Sequence, residues 1–362
     1  MITVRTNLSL YITLLAVTLA DCDIYYVKPS HNSSLPHPCP ASPCHTLQYY
    51  VKNETEFFKS NSTFQFLPGI HILESNEGNK PTTIENVQNL TLIGDDWFLM
   101  DASEVPVPSS QIHCNGSGGL LFAAVHGLFI GNLMFSTCGA VLPWPLDGKF
   151  RAALAIGLRI PVKSIFDVNI TRVVIQNSTG FGLYGANVLG YSTISESTFI
   201  YNNGSQEYYG GNIRFRYWNC SEDAGNSTFI IQSSYLLHGY NPNTNASYTS
   251  AAGFSVTFGL KCSNVVINIT NTTARHNVGA YVGNLEIISY SSSITNTVYI
   301  TQCVLEDGLV TNGNSTAAGG LSIFSQLCYV PGTRDVSMKW LQFKLNPLGP
   351  IADISILRLS AS

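Results

Sequence analysis

The segment EYYGGNIRFRYWNC at Glu207–Cys220 has the densest mixture of cationic and aromatic side chains in the sequence. In a β-strand Arg214 and Arg216 would share one face, opposite Phe215 and Tyr217, because successive side chains alternate between faces. Guanidinium groups form paired hydrogen bonds with acidic groups, and nearby rings can stack on a sugar. The competing interpretation is a solvated arginine pair on an outer face. The candidate ligand-binding residues are Tyr208, Tyr209, Arg214, Arg216 and Trp218.

A second and weaker candidate is the proline-bearing segment VLPWPLDGKFR, which carries Trp144, Asp147, Lys149 and Arg151. The segment interrupts the longest interval between the repeated strands described below. Insertions in repeat proteins usually project from one face and often form the binding edge. We therefore expect this loop to be a second place where a ligand could bind.

The carboxylates give little indication of an active site. Asp95 and Asp96 are adjacent, so in a turn after Gly94 we expect them to accept hydrogen bonds from backbone amides. Asp101 could join them, but no neighbouring residue supplies a base with a clear partner. Glycoside hydrolysis needs two carboxylates at a set separation, and calcium sites need several oxygen ligands. The sequence favours a protein without catalysis, and a polysaccharide-active lyase or hydrolase is the alternative.

Short motifs for other chemistries are missing from the sequence. It contains no G-x-S-x-G nucleophile motif, no H-E-x-x-H motif and no zinc-type spacing of cysteines. The eight histidines are scattered through the chain. We therefore expect no metal and no cofactor.

The composition excludes several classes of protein. The chain has 362 residues, of which 45% are hydrophobic and 11% charged, whereas a typical soluble domain has roughly 25% charged residues. This composition excludes a disordered chain and a long coiled coil. With 18 Lys and Arg residues and a net charge of −4, nucleic acid is not an expected partner, since its binding needs clustered cations.

The N-terminus has the form of a secretory signal. Arg5 precedes the apolar stretch Leu8–Ala20, which is too short to span a bilayer. The other apolar stretch, Gly118–Phe135, contains polar residues and glycines, so we interpret it as consecutive buried strands. We predict a signal peptide at 1–20, a secreted chain with no other membrane span, and extracellular glycans or proteins as partners. The alternative is the ectodomain of a larger membrane receptor or adhesin.

Nine cysteines are typical of a chain that folds in an oxidising compartment. Cys39 and Cys44 bracket the short segment CPASPC, and we predict that they form a local disulfide. Cys114 and Cys138 are candidates for a second disulfide. The odd count leaves one thiol free or joined to another chain.

Fourteen Asn-x-Ser/Thr sequons follow the predicted signal peptide. Together with that signal they favour N-glycosylation. The competing explanation is that turns rich in Asn and Thr create sequons that are never modified. The candidate asparagines are Asn32, Asn53, Asn61, Asn89, Asn115, Asn169, Asn177, Asn203, Asn219, Asn226, Asn245, Asn268, Asn271 and Asn314.

Short strand-like segments recur along the chain. Ile194 and Ile231 are 37 residues apart, and glycine-rich strands lie between such segments. A period of this length indicates a solenoid or a propeller. Two-residue hairpin turns are scarce, so a parallel β-helix is favoured over a propeller or an antiparallel sandwich. The aligned residues are Ile93, Ile130, Ile175, Ile194, Ile231, Ile269, Ile300 and Met338, and the glycine-rich strands begin at Gly180, Gly210, Ala251, Val278 and Ala317.

Several motifs carry a resemblance to a known family. They are CPASPCHTLQYYV from Cys39, FQFLPGIHIL from Phe64, NVQNLTLIG from Asn86, and IHC followed by GLFIGNLMFSTCG. With these motifs the chain resembles the right-handed β-helix glycoproteins of pectin-lyase-like fold predicted in sponges and other simple animals. The GG-x-I strand at Gly210 is more weakly similar to the repeats of polymorphic outer membrane proteins.

The resemblance implies a right-handed parallel β-helix and an extracellular recognition, adhesion or scaffolding role, and it adds no ligand. Hydrolases of this fold carry Gly-His-Gly and Arg-x-Lys motifs, and both are missing from this sequence, which weakens the enzyme alternative. We predict an all-β chain with a disulfide-bearing cap at 21–62 and a β-helix at 63–362. A capping helix is expected at His45–Lys59, where apolar residues recur at helical spacing.

Overall fold

The computed structural model describes residues 23–30, 39–96, 98–100, 106–142, 150–157, 165–217, 227–242, 251–259, 264–289, 296–311, 319–326, 342–346 and 354–359. The strands in these residues are numbered β1 to β35 in chain order. Two short helices precede β3, and one 3₁₀ turn precedes β5. They are α1 (Leu47–Lys52), α2 (Glu54–Phe57) and the turn Glu77–Asn79.

Three long sheets run along the molecule, and within each sheet almost every neighbouring pair of strands is parallel. Sheet 1 has twelve strands and begins near the N-terminus. They are β1 (Asp23–Lys28), β2 (Cys44–Thr46), β3 (Ser62–Phe66), β6 (Gln88–Ile93), β11 (His126–Gly131), β15 (Ile165–Thr171), β18 (Val188–Leu189), β19 (Tyr191–Ser195), β22 (Ser227–Gln232), β26 (Val265–Thr270), β30 (Thr297–Thr301) and β34 (Gln342–Asn346).

Sheet 2 has eight strands, most of them only three residues long. They are β4 (Gly69–Ile72), β9 (Ser110–His113), β12 (Met134–Ser136), β16 (Val174–Gln176), β20 (Thr198–Ile200), β23 (Tyr235–Leu237), β27 (Thr273–Arg275) and β31 (Val304–Glu306).

Sheet 3 has ten strands and contains four of the five glycine-rich strands of the sequence repeat. The segment from Val278 was wrongly assigned, because its strand Val278–Gly279 belongs to a separate three-stranded sheet and the sheet 3 strand of that coil starts at Leu285. The ten strands are β5 (Thr82–Glu85), β10 (Leu120–Ala123), β13 (Ala140–Val141), β14 (Arg151–Ile156), β17 (Phe181–Ala186), β21 (Gly211–Tyr217), β25 (Phe254–Phe258), β29 (Leu285–Ser289), β33 (Leu321–Gln326) and β35 (Ile354–Leu359). A three-stranded sheet and an antiparallel pair complete the described structure. These are β24 (Tyr240–Asn241), β28 (Val278–Gly279) and β32 (Leu309–Val310), and β7 (Phe98–Met100) with β8 (Pro106–Pro108).

Each coil contributes one strand to sheet 1, then one to sheet 2, then one to sheet 3, and the next coil repeats this order. This is a parallel β-helix, so the predicted fold class is confirmed. The parallel pairing excludes an antiparallel sandwich. The right-handed sense that we expect is the sense of nearly all connections between parallel strands of one sheet.

The core is made of columns of apolar side chains from successive coils. Ile130, Ile170, Ile194 and Ile231 stand in register in sheet 1 and are fully buried. Each buried aliphatic side chain of this size stabilises the fold by roughly 1.5–3 kcal/mol. The column continues through Ile269 and Ile300 as the sequence repeat predicted.

Two members of the predicted column were wrong. The residue in register with Ile130 is Leu92 and not Ile93. The prediction failed because Leu92 and Ile93 are both apolar, and the spacing between repeats does not distinguish two adjacent apolar residues. Ile175 lies in β16 of sheet 2, where it pairs with Phe199. The three-residue strands of sheet 2 are too short to show an alternating pattern. Met338 lies outside the described residues.

The corners between sheets use residues with positive φ. We call the turn from sheet 1 to sheet 2 corner 1 and the turn from sheet 2 to sheet 3 corner 2. In both corners one residue per coil is left-handed, a conformation that favours Gly and Asn. Corner 1 holds Asn132, Arg172, Glu196, Ser233, Asn271 and Gln302, and corner 2 holds Thr137, Asn177, Tyr201, His238, His276 and Asp307.

The N-terminal segment packs an aromatic cluster against the first coils. The ring of Tyr25 stacks on Phe64 at 5.1 Å, and Phe57 meets Tyr25 edge to face at 5.4 Å. The expected helix over 45–59 is divided at Asn53, whose backbone leaves the helical region and ends α1. β1 and β2 extend sheet 1 beyond β3, so this segment also contributes strands.

The apolar stretch Gly118–Phe135 contains β10, β11 and the start of β12, which confirms the prediction of consecutive buried strands. No helix among the described residues is long and apolar enough to cross a membrane.

Candidate functional site

Sheet 3 carries a row of polar side chains on its outer face. Tyr184, Arg214, Ser255, Glu286 and Ser322 are in register on five successive strands, and we call them the buried polar row. Along β21 these positions alternate with residues of the central core. All five side chains are buried, although they point away from that core. A buried array of ionisable groups outside the core is where we expect function to be found.

The two arginines predicted as ligand-binding residues share this outer face. Arg214 is 1% exposed and Arg216 is 5% exposed, so the pair is not solvated. The Arg214 guanidinium carbon lies 5.8 Å from the ring centroids of Phe150 and of Phe181. That of Arg216 lies 5.6 Å from the Phe150 ring. Cations in this range are attracted to ring faces.

The electrostatic environment of Arg214 is unfavourable for its charge. Burial, and secondarily the positive charge of Arg216, lower the pKa of Arg214 to about 10, while Glu286 and nearby tyrosines oppose the shift. Its Nε and Nη1 atoms are buried and make no hydrogen bond within the part of the chain that the structure describes. The Glu286 carboxylate accepts a hydrogen bond of 2.9 Å from the Ser255 hydroxyl.

The two candidate regions meet at this face. Tyr209 is buried in the outer cluster, with its ring 4.9 Å from that of Phe150. The Arg151 guanidinium carbon lies 3.9 Å from the Tyr208 ring centroid, so a residue of the second region contacts one of the first. Phe150 and Tyr209 also form a parallel β-bridge. Trp144, Asp147, Lys149 and Trp218 lie outside the described residues.

Tyr184, Ser255 and Glu286 were not among the site residues predicted from the sequence. A signal for two of them was available, because aligning the glycine-rich strands on Leu183, Ile213 and Phe254 places Tyr184, Arg214 and Ser255 in one column. The position of Glu286 in this column could not be predicted, because the repeat segment starting at Val278 did not define the register of β29.

The aspartates near Gly94 take part in surface contacts at corner 1. Asp96 accepts a hydrogen bond of 2.6 Å from the Asn132 amide, so its partner among the described residues is a side chain, whereas we expected a backbone amide. Arg172 lies 3.9 Å from Asp96 and 3.9 Å from Glu196. Exposed pairs of this kind are worth about 0–1 kcal/mol. Asp101 lies outside the described residues, among which no group of three or more potential metal ligands occurs.

Both predicted disulfides are present. Cys39 is bonded to Cys44 and Cys114 to Cys138, with Cα atoms 6.3 Å and 4.7 Å apart. Cys303 is a buried thiol whose pKa is raised, chiefly by burial. The remaining cysteines lie outside the described residues.

Nine of the fourteen sequon asparagines lie in described residues. Asn53 and Asn268 are half-buried, and the other seven are exposed. Five of those seven have positive φ, which accounts for Asn at these turns independently of glycosylation. The exposed residues are Asn61, Asn89, Asn115, Asn169, Asn177, Asn203 and Asn271; the five outside are Asn32, Asn219, Asn226, Asn245 and Asn314.

Corner 2 carries a second row of side chains, which was not predicted from the sequence. The Tyr201 ring stacks on His238 at 4.8 Å, and His238 stacks on His276 at 5.0 Å. His276 Nδ1 lies 3.5 Å from Asp307 Oδ2. Burial, and secondarily His276, lower the pKa of His238. Tyr201 and His238 are 37 residues apart, like Ile194 and Ile231, so the repeat contained a signal for this row.

No protein-family model matches the chain, and no curated protein matches it. Among solved structures the chain is similar to the crystal structure of pectate lyase Pel9A, at 15% sequence identity. The alignment covers 91% of this chain and 81% of that chain, with a TM-score of 0.31. A similarity of this strength carries no argument about function, and the fold assignment rests on the parallel pairing of the strands.

Proposed function

We propose that this chain is an extracellular recognition module without catalysis, which binds carboxylate or sulfate groups of acidic glycans through Arg214. One observation supports the proposal above the others. Arg214 is almost completely buried, and two of its donor nitrogens, Nε and Nη1, have no hydrogen-bond acceptor in the described residues.

Such a guanidinium is costly to the folded state. Burying a charge without full hydrogen bonding is unfavourable by several kcal/mol, on the order of what one good ion pair recovers. A carboxylate or a sulfate can accept two parallel hydrogen bonds from one guanidinium. Binding of such a group along either edge of the guanidinium would supply an acceptor that the protein itself does not provide, either for Nε or for Nη1 of Arg214.

The composition of the row favours binding over hydrolysis. Two carboxylates at a set separation are required for glycoside hydrolysis, and the row contains one, Glu286. That carboxylate is engaged with Ser255. A polysaccharide-active lyase is the remaining catalytic alternative, and it would be detected by the unsaturated chain ends that it produces.

Secretion and N-glycosylation belong to the same proposal. Two disulfides are consistent with an oxidising compartment, and seven sequon asparagines are exposed. The same module would serve equally well as the ectodomain of a larger receptor or adhesin. Sequencing of longer transcripts and mass spectrometry of the secreted protein test these two points.

The test is binding of the full chain, expressed in a glycosylating host, to polygalacturonate, chondroitin sulfate and neutral dextran at two salt concentrations. We expect binding to the acidic polymers that weakens with salt. Arg214→Met should weaken it by about 10- to 100-fold, the value of a charge-assisted hydrogen-bonding group. Arg214→Lys should give an intermediate loss, because Lys lacks the planar fork.

The matched control is Arg172→Met, which removes an exposed arginine of corner 1 and should leave binding within about twofold. Equal binding of dextran, or unchanged affinity in Arg214→Met, would overturn the proposal. An increase in unsaturated or reducing chain ends during the incubation would replace it with the enzyme alternative. Because Arg214 is covered, we also expect association slower than about 10⁵ M⁻¹s⁻¹.

A further inference from the structure

Asn177 and Tyr201 occupy equivalent positions on adjacent coils of corner 2. The preceding residues Gln176 and Ile200 are paired in sheet 2. Asn177 and Tyr201 both have a φ of 54°. The Asn177 backbone N–H donates to the Ile200 carbonyl at 3.2 Å, and the Tyr201 N–H donates to Leu237 in the same way at 3.3 Å. The two side chains therefore leave the backbone one coil apart, about 4.8 Å.

Side chains in this column lie parallel across coils. The Tyr201 and His238 rings are inclined by only 20°, and the His238 and His276 rings by 21°. His238 covers one face of Tyr201. The other face is directed towards the coil that carries Asn177, and Tyr201 is 46% exposed. Tyr201 thus ends the stack with an open ring face beside a sequon asparagine.

We propose that the first N-acetylglucosamine linked to Asn177 packs on this open face of Tyr201. The inference rests on the proposed N-glycosylation. Attachment forms a bond between Asn177 Nδ2 and sugar C1, breaks the C1–O bond to a lipid diphosphate donor, and releases one proton from Nδ2. The apolar C–H face of the sugar then meets the negatively polarised face of the ring.

The side-chain amide of Asn177 is free to accept a glycan, unlike the amides of two other exposed sequons, Asn89 and Asn271. The Asn177 amide makes no hydrogen bond to the described residues. By contrast, Asn89 Nδ2 donates to Asn61 Oδ1 at 2.9 Å, and Asn271 Nδ2 donates to the Ser233 hydroxyl at 3.2 Å. These contacts hold the amide nitrogen to which the sugar would be joined.

The residue on the following coil also distinguishes the sites. Asn169 is paired with Thr193 on the following coil and with Phe129 on the preceding coil, so a glycan there lies in sheet 1 and its proton shifts should not depend on Tyr201. Asn203 bridges to Tyr240, which is also exposed, so that site resembles Asn177 and is unsuitable as a control. Asn169 is therefore the matched control sequon.

The first measurement is glycopeptide mass spectrometry of the secreted full chain, which should show Asn177 occupied. The glycans are then trimmed to single N-acetylglucosamine residues, and NMR compares their acetyl methyl and ring protons. We expect the Asn177-linked sugar to show upfield ring-current shifts that persist in Tyr201→Phe and vanish in Tyr201→Ser. The Asn169-linked sugar should not change in either variant.

Thermal unfolding provides a second readout. Asn177→Gln should lower Tm by about 1–3 °C in the Tyr201 background and by less in Tyr201→Ser. An unoccupied Asn177, or an occupied site without a Tyr201-dependent shift, would overturn the inference. Acidic-glycan binding through Arg214 is measured separately, so failure here is distinguishable from failure of the recognition proposal. If no sequon is occupied at all, the glycosylation proposal itself fails.

Discussion

The buried polar row and corner 2 are built in the same way but lie in opposite environments. Both place one side chain per coil in a straight line, because parallel strands keep their register. In the row, Arg214 is covered and its charge is incompletely compensated. In corner 2, His276 is exposed and faces Asp307, while Arg275 is paired with Glu306. Register therefore brings the groups together, whereas burial decides whether solvent compensates their charges.

A network of buried amides connects the two regions. Asn277 follows His276 and accepts a hydrogen bond of 3.0 Å from Asn212, which is two residues before Arg214. Asn277 Nδ2 donates to the Leu236 carbonyl and to Asn284 Oδ1, both at 2.8 Å. Since all these side chains are buried, the network fixes the spacing of neighbouring coils.

Breaking this network should give the largest decrease in the free energy of unfolding. Asn277→Ala would remove the side-chain acceptor of the Gly239 N–H. It would also remove one hydrogen bond from each of the Asn212 and Asn284 amides, which keep their bonds to the Leu237 and Glu306 carbonyls. We expect a loss of about 3 kcal/mol in the free energy of unfolding, because unsatisfied buried groups cost roughly 1–3 kcal/mol each. Chemical denaturation measures it. The control Asn271→Ala removes an exposed amide of corner 1, and an equal loss there would contradict the prediction.

The next largest effect is expected from His71, which is a buried ionisable residue like Arg214. His71 is fully buried, its Nε2–H donates to the Leu67 carbonyl at 2.8 Å, and its Nδ1 has no partner in the described residues. Burial lowers the pKa of His71 to about 4, and the hydrogen bond to the Leu67 carbonyl opposes the shift. The unfolded chain therefore binds the proton more readily, with a pKa near 6.5.

The sign of the pH dependence follows from this difference. The stability contributed by neutral His71 is present above pH 6.5 and is lost as pH falls from about 6.5 to about 4. The loss should be on the order of 3 kcal/mol, at about 1.4 kcal/mol for each pKa unit. Unfolding measured between pH 7 and pH 4 should show a flatter slope in His71→Gln. The exposed His126→Gln should keep the wild-type slope, and a flattened slope in that variant would assign the effect elsewhere.

A third and smaller effect tests whether Arg214 contributes to ligand binding or to the stability of the fold. Arg214→Met removes a poorly compensated buried charge and keeps much of the side-chain volume, so stability should rise by about 1–2 kcal/mol. Acidic-glycan binding should be weaker by about 10- to 100-fold in the same variant. Thermal unfolding and binding are measured on one preparation. A fall in Tm would show that the cation–ring contacts with Phe150 and Phe181 hold the outer layer together.

The sequence predicted the repeated architecture better than the environment of its polar residues. The spacing of Ile194, Ile231, Ile269 and Ile300 was sufficient to predict stacked coils, because core columns must recur once per coil. Alternation along β21 was sufficient to place Arg214 and Arg216 on one face. Such local patterns report the direction of a side chain and not what lies above it.

Burial of the arginine pair depends on contacts between distant segments. Phe150 and Tyr209 precede different strands of sheet 3 and form a bridge over its outer face. Neither residue belongs to the periodic pattern, so periodicity gave no sign of a second apolar layer. For the same reason the partners of Asp96 could not be read from Gly94 and its neighbours, since Asn132 belongs to the following coil.

The smallest effect on stability is expected at an exposed ion pair of corner 2. Arg275 and Glu306 form an ion pair at the edge of corner 2, and both side chains are more than a third exposed. Glu306→Gln should change the free energy of unfolding by less than about 1 kcal/mol, and less still at high salt, because solvent screens exposed pairs. Glu286→Gln in the buried polar row should cost more and should keep that cost at high salt, since Glu286 is buried and accepts from Ser255. Denaturation of both variants at low and high salt decides the matter. Equal and salt-sensitive losses would mean that the row is accessible to solvent ions, and the contrast between the two regions would then disappear.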